Sequence, residues 1–150
     1  MKPKFNYGKL AGYCAALLLA GCTSSAGPVA ALEPGPDTAC SLDGMMLSDF
    51  PGPKAQIVYN EGPPEFFCDL MELFGALHEP EQKRGVAALF VQDMGKTSWD
   101  RPVGNWIDAR AALYVVGSRK QGSMGPTFAS FSSREDADAF VRAEGGRVVK

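Results

Sequence analysis

The sulfur-bearing side chains are the residues of this chain with the most distinctive chemistry. Cys40 and Met45 stand close together in CSLDGMM, and Gly44 can form a tight bend that brings both sulfurs to one point. Thiolate and thioether donors select Cu(I), a soft ion that accepts two or three ligands. The segment therefore predicts a soft-metal site, in which Asp43 balances charge or adds a weak ligand. Packing of the same loop against a sheet explains its composition equally well.

Two more methionines lie beside glycines, as Met45 does. Met94 precedes Gly95, and Met124 precedes Gly125. A methionine in a loop beside a glycine has few local neighbours to pack against, so its flexible thioether can turn toward a ligand. We therefore include Met94 and Met124 among the candidate metal ligands.

Cys68 admits three interpretations. It lies just ahead of Asp69, where the free N–H groups of a helix start would lower the pKa of a thiol. It could also form a disulfide with Cys40, 28 positions earlier in the chain. The third interpretation is a small buried apolar residue, which is the commonest role of a free cysteine. The sequence by itself leaves all three open.

The first 21 residues have the features of a bacterial lipoprotein signal peptide. A basic start is followed by the apolar run Leu10 to Ala20, too short to remain in a bilayer, and by LAGC ending at Cys22. Cleavage would leave Cys22 lipidated and anchored, and Thr23 after it indicates the outer membrane. Residues 22–37 are rich in Ser, Gly, Pro and Ala and should form a flexible tether. We therefore expect a lipid-anchored protein on the periplasmic side of the membrane, where disulfides can form.

Composition and missing motifs exclude several classes of protein. Residues 1–21 carry three of the 15 basic residues and none of the 17 acidic ones, so the remaining chain has a net charge of −5. Without a basic cluster, nucleic-acid binding is not expected. His78 is the only histidine, which excludes a His-rich zinc or copper site. The chain also lacks a Gly-x-Ser-x-Gly motif, a P-loop and a dinucleotide fingerprint, so little supports a hydrolase.

The candidate ligands must be positioned by two segments that repeat one pattern of elements. Each segment reads as strand, strand, helix, strand, and we expect an α+β protein of two ββαβ modules, residues 38–103 and 104–150. The predicted strands are 55–59, 65–67 and 86–91 in the first module, and 112–116, 127–131 and 147–149 in the second. A Gly-rich loop is expected over 117–126.

Local signals mark where both helices begin and end. Asp69 with Glu72 and Ser132 with Glu135 are capping-box pairs, so each is expected to begin a helix. The pair Gly145-Gly146 is expected to end the second helix.

Five stretches of the chain together resemble the NosL family, the lipoproteins encoded with nitrous-oxide reductase. They are FPGPKAQIVY (50–59), FVQDMGKTSWD (90–100), GNWIDARAALYVVGS (104–118), GSMGPTFASFSSREDADAF (122–140) and GGRVV (145–149). The resemblance covers nearly all of residues 37–149. It implies two ββαβ-like modules related to the organomercurial lyase fold. It also implies a periplasm-facing lipoprotein that binds one Cu(I) ion and helps to deliver copper to nitrous-oxide reductase.

The resemblance also implies roles for individual sulfur atoms. The family's cysteine followed shortly by methionine matches Cys40 and Met45. The commoner Cys-x-x-Cys-Gly-Met form has a second cysteine where this chain has Asp43, so a two-thiolate site is not expected here. Met94 and Met124 match family Met-Gly motifs, and Met124 is expected to be the third sulfur ligand.

Two functions follow from the sequence. The first is a non-enzymatic carrier that passes Cu(I) by ligand exchange; the resemblance implies nitrous-oxide reductase and the ABC-type machinery encoded beside it as partners. The alternative is an adaptor lipoprotein without metal, stapled by a Cys40–Cys68 disulfide. Cys68 matches no family cysteine, which favours simple packing for it. Carbon–mercury lyase activity is not expected, because a shared fold does not carry function.

Overall fold

A computed structural model describes Met1, residues 27–79 and residues 84–150. The expected signal peptide and Cys22 lie outside the described residues, as does most of the loop after the first helix. The described part of the chain combines short antiparallel sheets with two helices. This arrangement confirms the expectation of a mixed helix and sheet protein.

The first sheet contains four antiparallel strands in the order β2-β1-β3-β4. Their bounds are β1 Ala55–Tyr59, β2 Glu65–Phe67, β3 Val86–Gln92 and β4 Trp106–Asp108. Helix α1, Leu70–His78, buries Leu70 and Leu73 in one core cluster with Ile57 of β1 and Val91 of β3. The three strands expected in the first module are confirmed, whereas β4 was not predicted. The fourth strand lies beyond residue 103 yet joins the first sheet.

The second sheet contains three antiparallel strands in the order β8-β5-β9. Their bounds are β5 Leu113–Val116, β8 Ala129–Phe131 and β9 Arg147–Val149. Helix α2, Arg134–Glu144, packs on this sheet through a second core cluster that includes Ala137, Phe131 and Val115. Between β5 and β8 the expected loop contains a small hairpin, with β6 Gln121–Gly122 paired to β7 Gly125–Pro126.

The caps confirm one helix start and correct the other. Asp69 caps α1, and its side chain accepts a hydrogen bond from the Met71 backbone N–H. Helix α2 is capped by Ser133, which accepts from the Asp136 backbone N–H. The expected Ser132 cap is therefore wrong by one residue, because the Ser132 hydroxyl donates instead to Asp93. The end of α2 is as expected.

Gly145 is the residue that ends α2. Its φ of +79° lies in the left-handed region that favours glycine, and its N–H donates to the Val141 carbonyl. In the part of the chain that the structure describes, no helix has the length and apolar character needed to cross a membrane.

Candidate metal centre

Two thiols and a carboxylate meet at the junction between β2 and α1. The Cys40 and Cys68 sulfurs and a Glu72 carboxylate oxygen all lie within 4.8 Å of one another. All three residues are buried, with exposed fractions of 3%, 0% and 5%. The structure contains the two cysteines as free thiols, not as a disulfide. Among the described residues, this is the only such group of three potential metal-ligating side chains.

The Cys40 side of the site is a closed turn. The Cys40 N–H donates to the Met45 carbonyl at 2.7 Å, and the Gly44 N–H donates to the Cys40 carbonyl at 3.0 Å. Gly44 has a φ of +77°, so the bend predicted from the sequence is present and needs glycine's freedom. The Ser41 N–H donates to the Phe66 carbonyl at 2.8 Å, which attaches the turn to β2. The turn therefore presses Cys40 against the strand that leads to Cys68.

Glu72 connects the turn, the helix start and the hairpin. Its Oε2 accepts from the Cys40 Sγ at 3.0 Å and from the Cys68 backbone N–H at 3.0 Å. Its Oε1 accepts from the Ser123 hydroxyl at 3.5 Å. In a standard capping box this glutamate would accept from the backbone N–H of Asp69. Here Glu72 accepts instead from the Cys68 backbone N–H and from the Cys40 thiol, so one carboxylate links the turn, the helix start and the hairpin.

Burial keeps both thiols protonated at neutral pH. Burial first, and then the hydrogen bond to Glu72, raises the pKa of the Cys40 thiol. Burial also raises the pKa of the Cys68 thiol to about 12, with further contributions from Cys40 and Glu72. The expectation that the helix start would lower the Cys68 pKa is therefore wrong. A bound cation would have to displace these protons.

Lys54 supplies a buried positive charge beside the thiols. Its Nζ donates to the carbonyl oxygens of Phe50, Pro51 and Cys68, at 2.8, 3.2 and 3.1 Å. The side chain is held inside the protein, and desolvation lowers its pKa while the charge of nearby acidic groups opposes that shift. The ammonium group is thus fixed by three backbone dipoles next to Cys68.

The methionines predicted as ligands have three different environments. Met45 is half-buried and packs against the small core cluster that contains both cysteines. Met124 is 69% exposed in the turn of the hairpin, directly after Ser123, whose hydroxyl donates to Glu72. Met94 packs against the second core cluster, and its N–H donates to the Ser130 carbonyl. The hairpin therefore passes close to the thiols, whereas Met94 belongs to a different part of the core.

Sequence reasoning missed two members of this group. The sequence predicts Cys68 only as a disulfide partner, a reactive thiol or a packing residue, and Glu72 only as part of a helix cap. One signal in the sequence could have indicated their contact. Cys68 and Glu72 are four positions apart across the start of α1, a spacing that lets the Glu72 side chain reach back to Cys68. The approach of Cys40 depends on the turn and β2, which local sequence does not specify.

The geometry of this group suits a thiophilic ion. A zinc ion bound to two cysteine sulfurs at about 2.3 Å each holds those sulfurs no more than about 4.6 Å apart. The sulfurs of Cys40 and Cys68 already lie within 4.8 Å, so one ion of similar size can bridge them with little rearrangement. Because the donors are sulfur-rich, the group favours soft ions such as Cu(I) over hard ones such as Mg²⁺.

Comparison with known proteins places the chain in a family. The family model for NosL matches residues 31–150, which is most of the sequence. The chain belongs to the NosL family. The copper-binding lipoprotein NosL of Stutzerimonas stutzeri is 39% identical over 151 residues, covering 98% of this chain and 79% of that protein. The copper-binding lipoprotein NosL of Achromobacter cycloclastes is 44% identical over 119 residues, covering 76% of this chain and 62% of that protein.

A solved NosL structure has the same fold. The crystal structure of the copper chaperone NosL from Shewanella denitrificans has a TM-score of 0.77 and 36% identity, covering 83% of this chain and 94% of that one. The family expected from the five stretches is therefore confirmed. The division into two ββαβ modules and the relation to organomercurial lyase stay predictions.

Proposed function

We propose that this protein is a copper carrier that binds one Cu(I) ion through Cys40 and delivers it during maturation of nitrous-oxide reductase. The observation that carries this proposal is the Cys40 turn, in which a thiol and the Met45 thioether share one small cluster. Related chains are named copper-binding lipoprotein and copper chaperone, which supports copper as the cargo. Sulfur donors favour its cuprous state.

In this proposal the cargo is held by sulfurs with different access to solvent. Cys40 supplies a thiolate, Met45 a thioether at the edge of the cluster, and Met124 an exposed thioether on the neighbouring hairpin. Met94, which the sequence also predicts as a ligand, packs against the second core cluster, and this proposal gives it no place in the ligand set.

Transfer would proceed by ligand exchange rather than by catalysis. An acceptor sulfur or imidazole enters the coordination shell of the ion, and a weakly bound thioether leaves first. No substrate bond is broken, so the protein is a carrier and not an enzyme. We propose nitrous-oxide reductase and the ABC-type membrane machinery of the same system as partners. The carrier would be anchored through lipidated Cys22 on the periplasmic side, in the outer membrane, with residues 22–37 as a tether.

A titration of single variants tests the proposal. Reduced wild-type protein should bind one equivalent of Cu(I) in competition with a chromophoric chelator, and Cys40→Ser should lose most of the affinity. Met45→Leu and Met124→Leu should each weaken binding, because each removes a thioether without charge. Met71→Leu is the matched control, since Met71 is an exposed methionine on α1 and should leave the affinity unchanged. Wild-type affinity in Cys40→Ser would refute the assignment.

The alternative is the metal-free lipoprotein stapled by a Cys40–Cys68 disulfide. Its specific support is the approach of the two sulfurs to within 4.8 Å, although both are thiols in this structure. Intact mass of protein isolated without reductant separates the two functions: the stapled form weighs about 2 Da less and resists alkylation. A permanently oxidised pair would favour the adaptor function.

A further inference from the structure

We infer that Cys68 supplies a second thiolate to the carried ion, so that Cu(I) is held between Cys40 and Cys68 inside the protein. This inference rests on the proposed copper function and specifies its ligand set. It differs from the sequence expectation of a single thiolate, which followed from Asp43 replacing a cysteine. The second thiol comes instead from the β2–α1 junction, 28 positions further along the chain.

The first argument is the position of the Cys68 sulfur. The Cys68 sulfur donates to the Met45 carbonyl over a long 3.8 Å, whereas the Cys40 sulfur donates to Glu72 at 3.0 Å. An ion that replaced the Cys68 proton would break only this long contact at that sulfur, whereas loss of the Cys40 proton gives up the bond to Glu72. The Cys40 and Cys68 sulfurs are already near the separation that one bridging ion requires.

The second argument is the balance of charge. Binding replaces two thiol protons, which leave to water, by one Cu(I), so the bridged ion with its two thiolates carries a charge of −1. Such a group is costly to bury unless an opposite charge lies close. The Lys54 ammonium donates to the Cys68 carbonyl at 3.1 Å and is fixed by two more carbonyls. This fixed cation offsets part of the negative charge of the centre, to which the neighbouring Glu72 carboxylate also contributes.

The third argument is the difference in exposure between the thiols and thioethers. Both thiols are almost completely inaccessible, whereas Met45 is half-buried and Met124 is largely exposed. A route from the surface thioethers to the buried thiols would let the ion enter weakly bound and finish tightly bound. The thiolate pair is then the storage position, and the thioethers are the exchange position.

The experiment compares Cys68→Ser and Cys68→Ala with wild-type protein and with Cys40→Ser. Removal of a partner that only supports a metal ligand typically costs about 10- to 100-fold in affinity, so loss of a direct ligand should cost more than about 100-fold. Both Cys68 variants should show that loss, and X-ray absorption should count one sulfur fewer around copper. The circular dichroism spectrum of each variant should match the wild-type spectrum.

Other results have separate meanings. If wild-type protein binds Cu(I) and Cys40→Ser does not, but Cys68→Ser keeps wild-type affinity and sulfur count, the inference is overturned and the carrier function stands. If wild-type protein ignores Cu(I), both are overturned. Should the Cys68 variants fail to fold, sulfur-edge absorption of copper-loaded wild-type protein decides. Two copper-bound thiolates support the inference, and one overturns it.

Discussion

The hydrogen bond between Thr127 and Asp69 should couple the segment between β7 and β8 to the start of α1, and this coupling can be measured. The Thr127 hydroxyl donates to the Asp69 carboxylate, which also accepts from the Met71 N–H as the helix cap. Both Thr127 and Asp69 are buried. Replacing Asp69 by Ala thus removes a cap and leaves a buried hydroxyl without its acceptor.

The expected magnitude follows from these two losses. Loss of an N-cap costs about 1 kcal/mol, and an unsatisfied buried polar group costs about 1–3 kcal/mol. Asp69→Ala should therefore lower the free energy of unfolding by about 2–4 kcal/mol, and Thr127→Val by about 1–2 kcal/mol. Because both changes break the same hydrogen bond, the double variant should lose less than the sum, by about 1 kcal/mol or more.

Urea denaturation of the four proteins measures this cycle, with an unchanged m-value as the sign of an intact native state. Ser133→Ala is the matched control, because Ser133 caps α2 with bonds only inside its own helix turn. It should cost only about 1 kcal/mol. Additivity of Asp69→Ala and Thr127→Val within about 0.5 kcal/mol would refute the coupling.

Four further predictions concern the same region. Gly122→Ala should lower the free energy of unfolding by about 1–3 kcal/mol, because a Cβ at this position would overlap Asp69. A Cβ at Gly75 on α1 would meet nothing within 4 Å, so Gly75→Ala should be neutral or stabilising. Thermal melts of the two variants compare their stabilities. Burial raises the pKa of both thiols, so near neutral pH each must lose a proton when Cu(I) binds. The apparent Cu(I) affinity should therefore rise about 100-fold per pH unit in wild-type protein, which loses two protons, but about 10-fold in Cys68→Ser, which loses one. Equal slopes in the two proteins would contradict binding by two thiolates. The pKa of Cys68 is about 12 in the folded protein, above its ordinary value of 9.0. The metal-free protein should therefore lose stability as the pH rises from 9 toward 12, and the Cys68→Ser variant should lose less. Urea unfolding at several pH values measures this difference. A thiol oxidant should join Cys40 to Cys68 in a disulfide, which should stabilise the fold by about 3–4 kcal/mol through loop closure. The oxidised protein should no longer bind Cu(I). If the oxidised protein still binds copper, the two cysteines are not its ligands.

The long hydrophobic strands β1 and β3 could be predicted, whereas the short strand β4 and the polar strands β6 and β7 could not. β1 has the predicted bounds and β3 extends one residue further, because both are short β-rich runs that fill the first core. The two-residue strands β6 and β7 consist of Gln, Gly and Pro, so they carry no alternation that could reveal them. The α2 start was ambiguous because Ser132 and Ser133 each have an acidic residue three positions later. In the structure the Ser132 hydroxyl donates to Asp93, and Ser133 is the residue that caps α2.

The candidate site was predictable only where its members are local in sequence. The sequence predicts that Cys40 and Met45 lie together because they stand at the two ends of a six-residue segment that bends at Gly44, and the structure contains that turn. The approach of Cys68 to Cys40 spans 28 positions and depends on how β2 meets α1. The reversal of the expected Cys68 pKa shift has the same origin, because burial outweighs the helix start. Both the position of Cys68 beside Cys40 and the direction of its pKa shift therefore depend on long-range packing, which the local sequence does not specify.

The hairpin near the thiols has a consequence for how the protein matures. The turn, Cys68 and Glu72 all lie within residues 38–72, whereas Ser123 and Thr127, which bond to Glu72 and Asp69, come from the last fifth of the chain. A growing polypeptide would thus possess both thiols well before it possessed the segment that hydrogen-bonds to Glu72 and Asp69. The hydrogen-bonded surroundings of Glu72 and Asp69 should therefore be complete only after the carboxyl-terminal portion has docked.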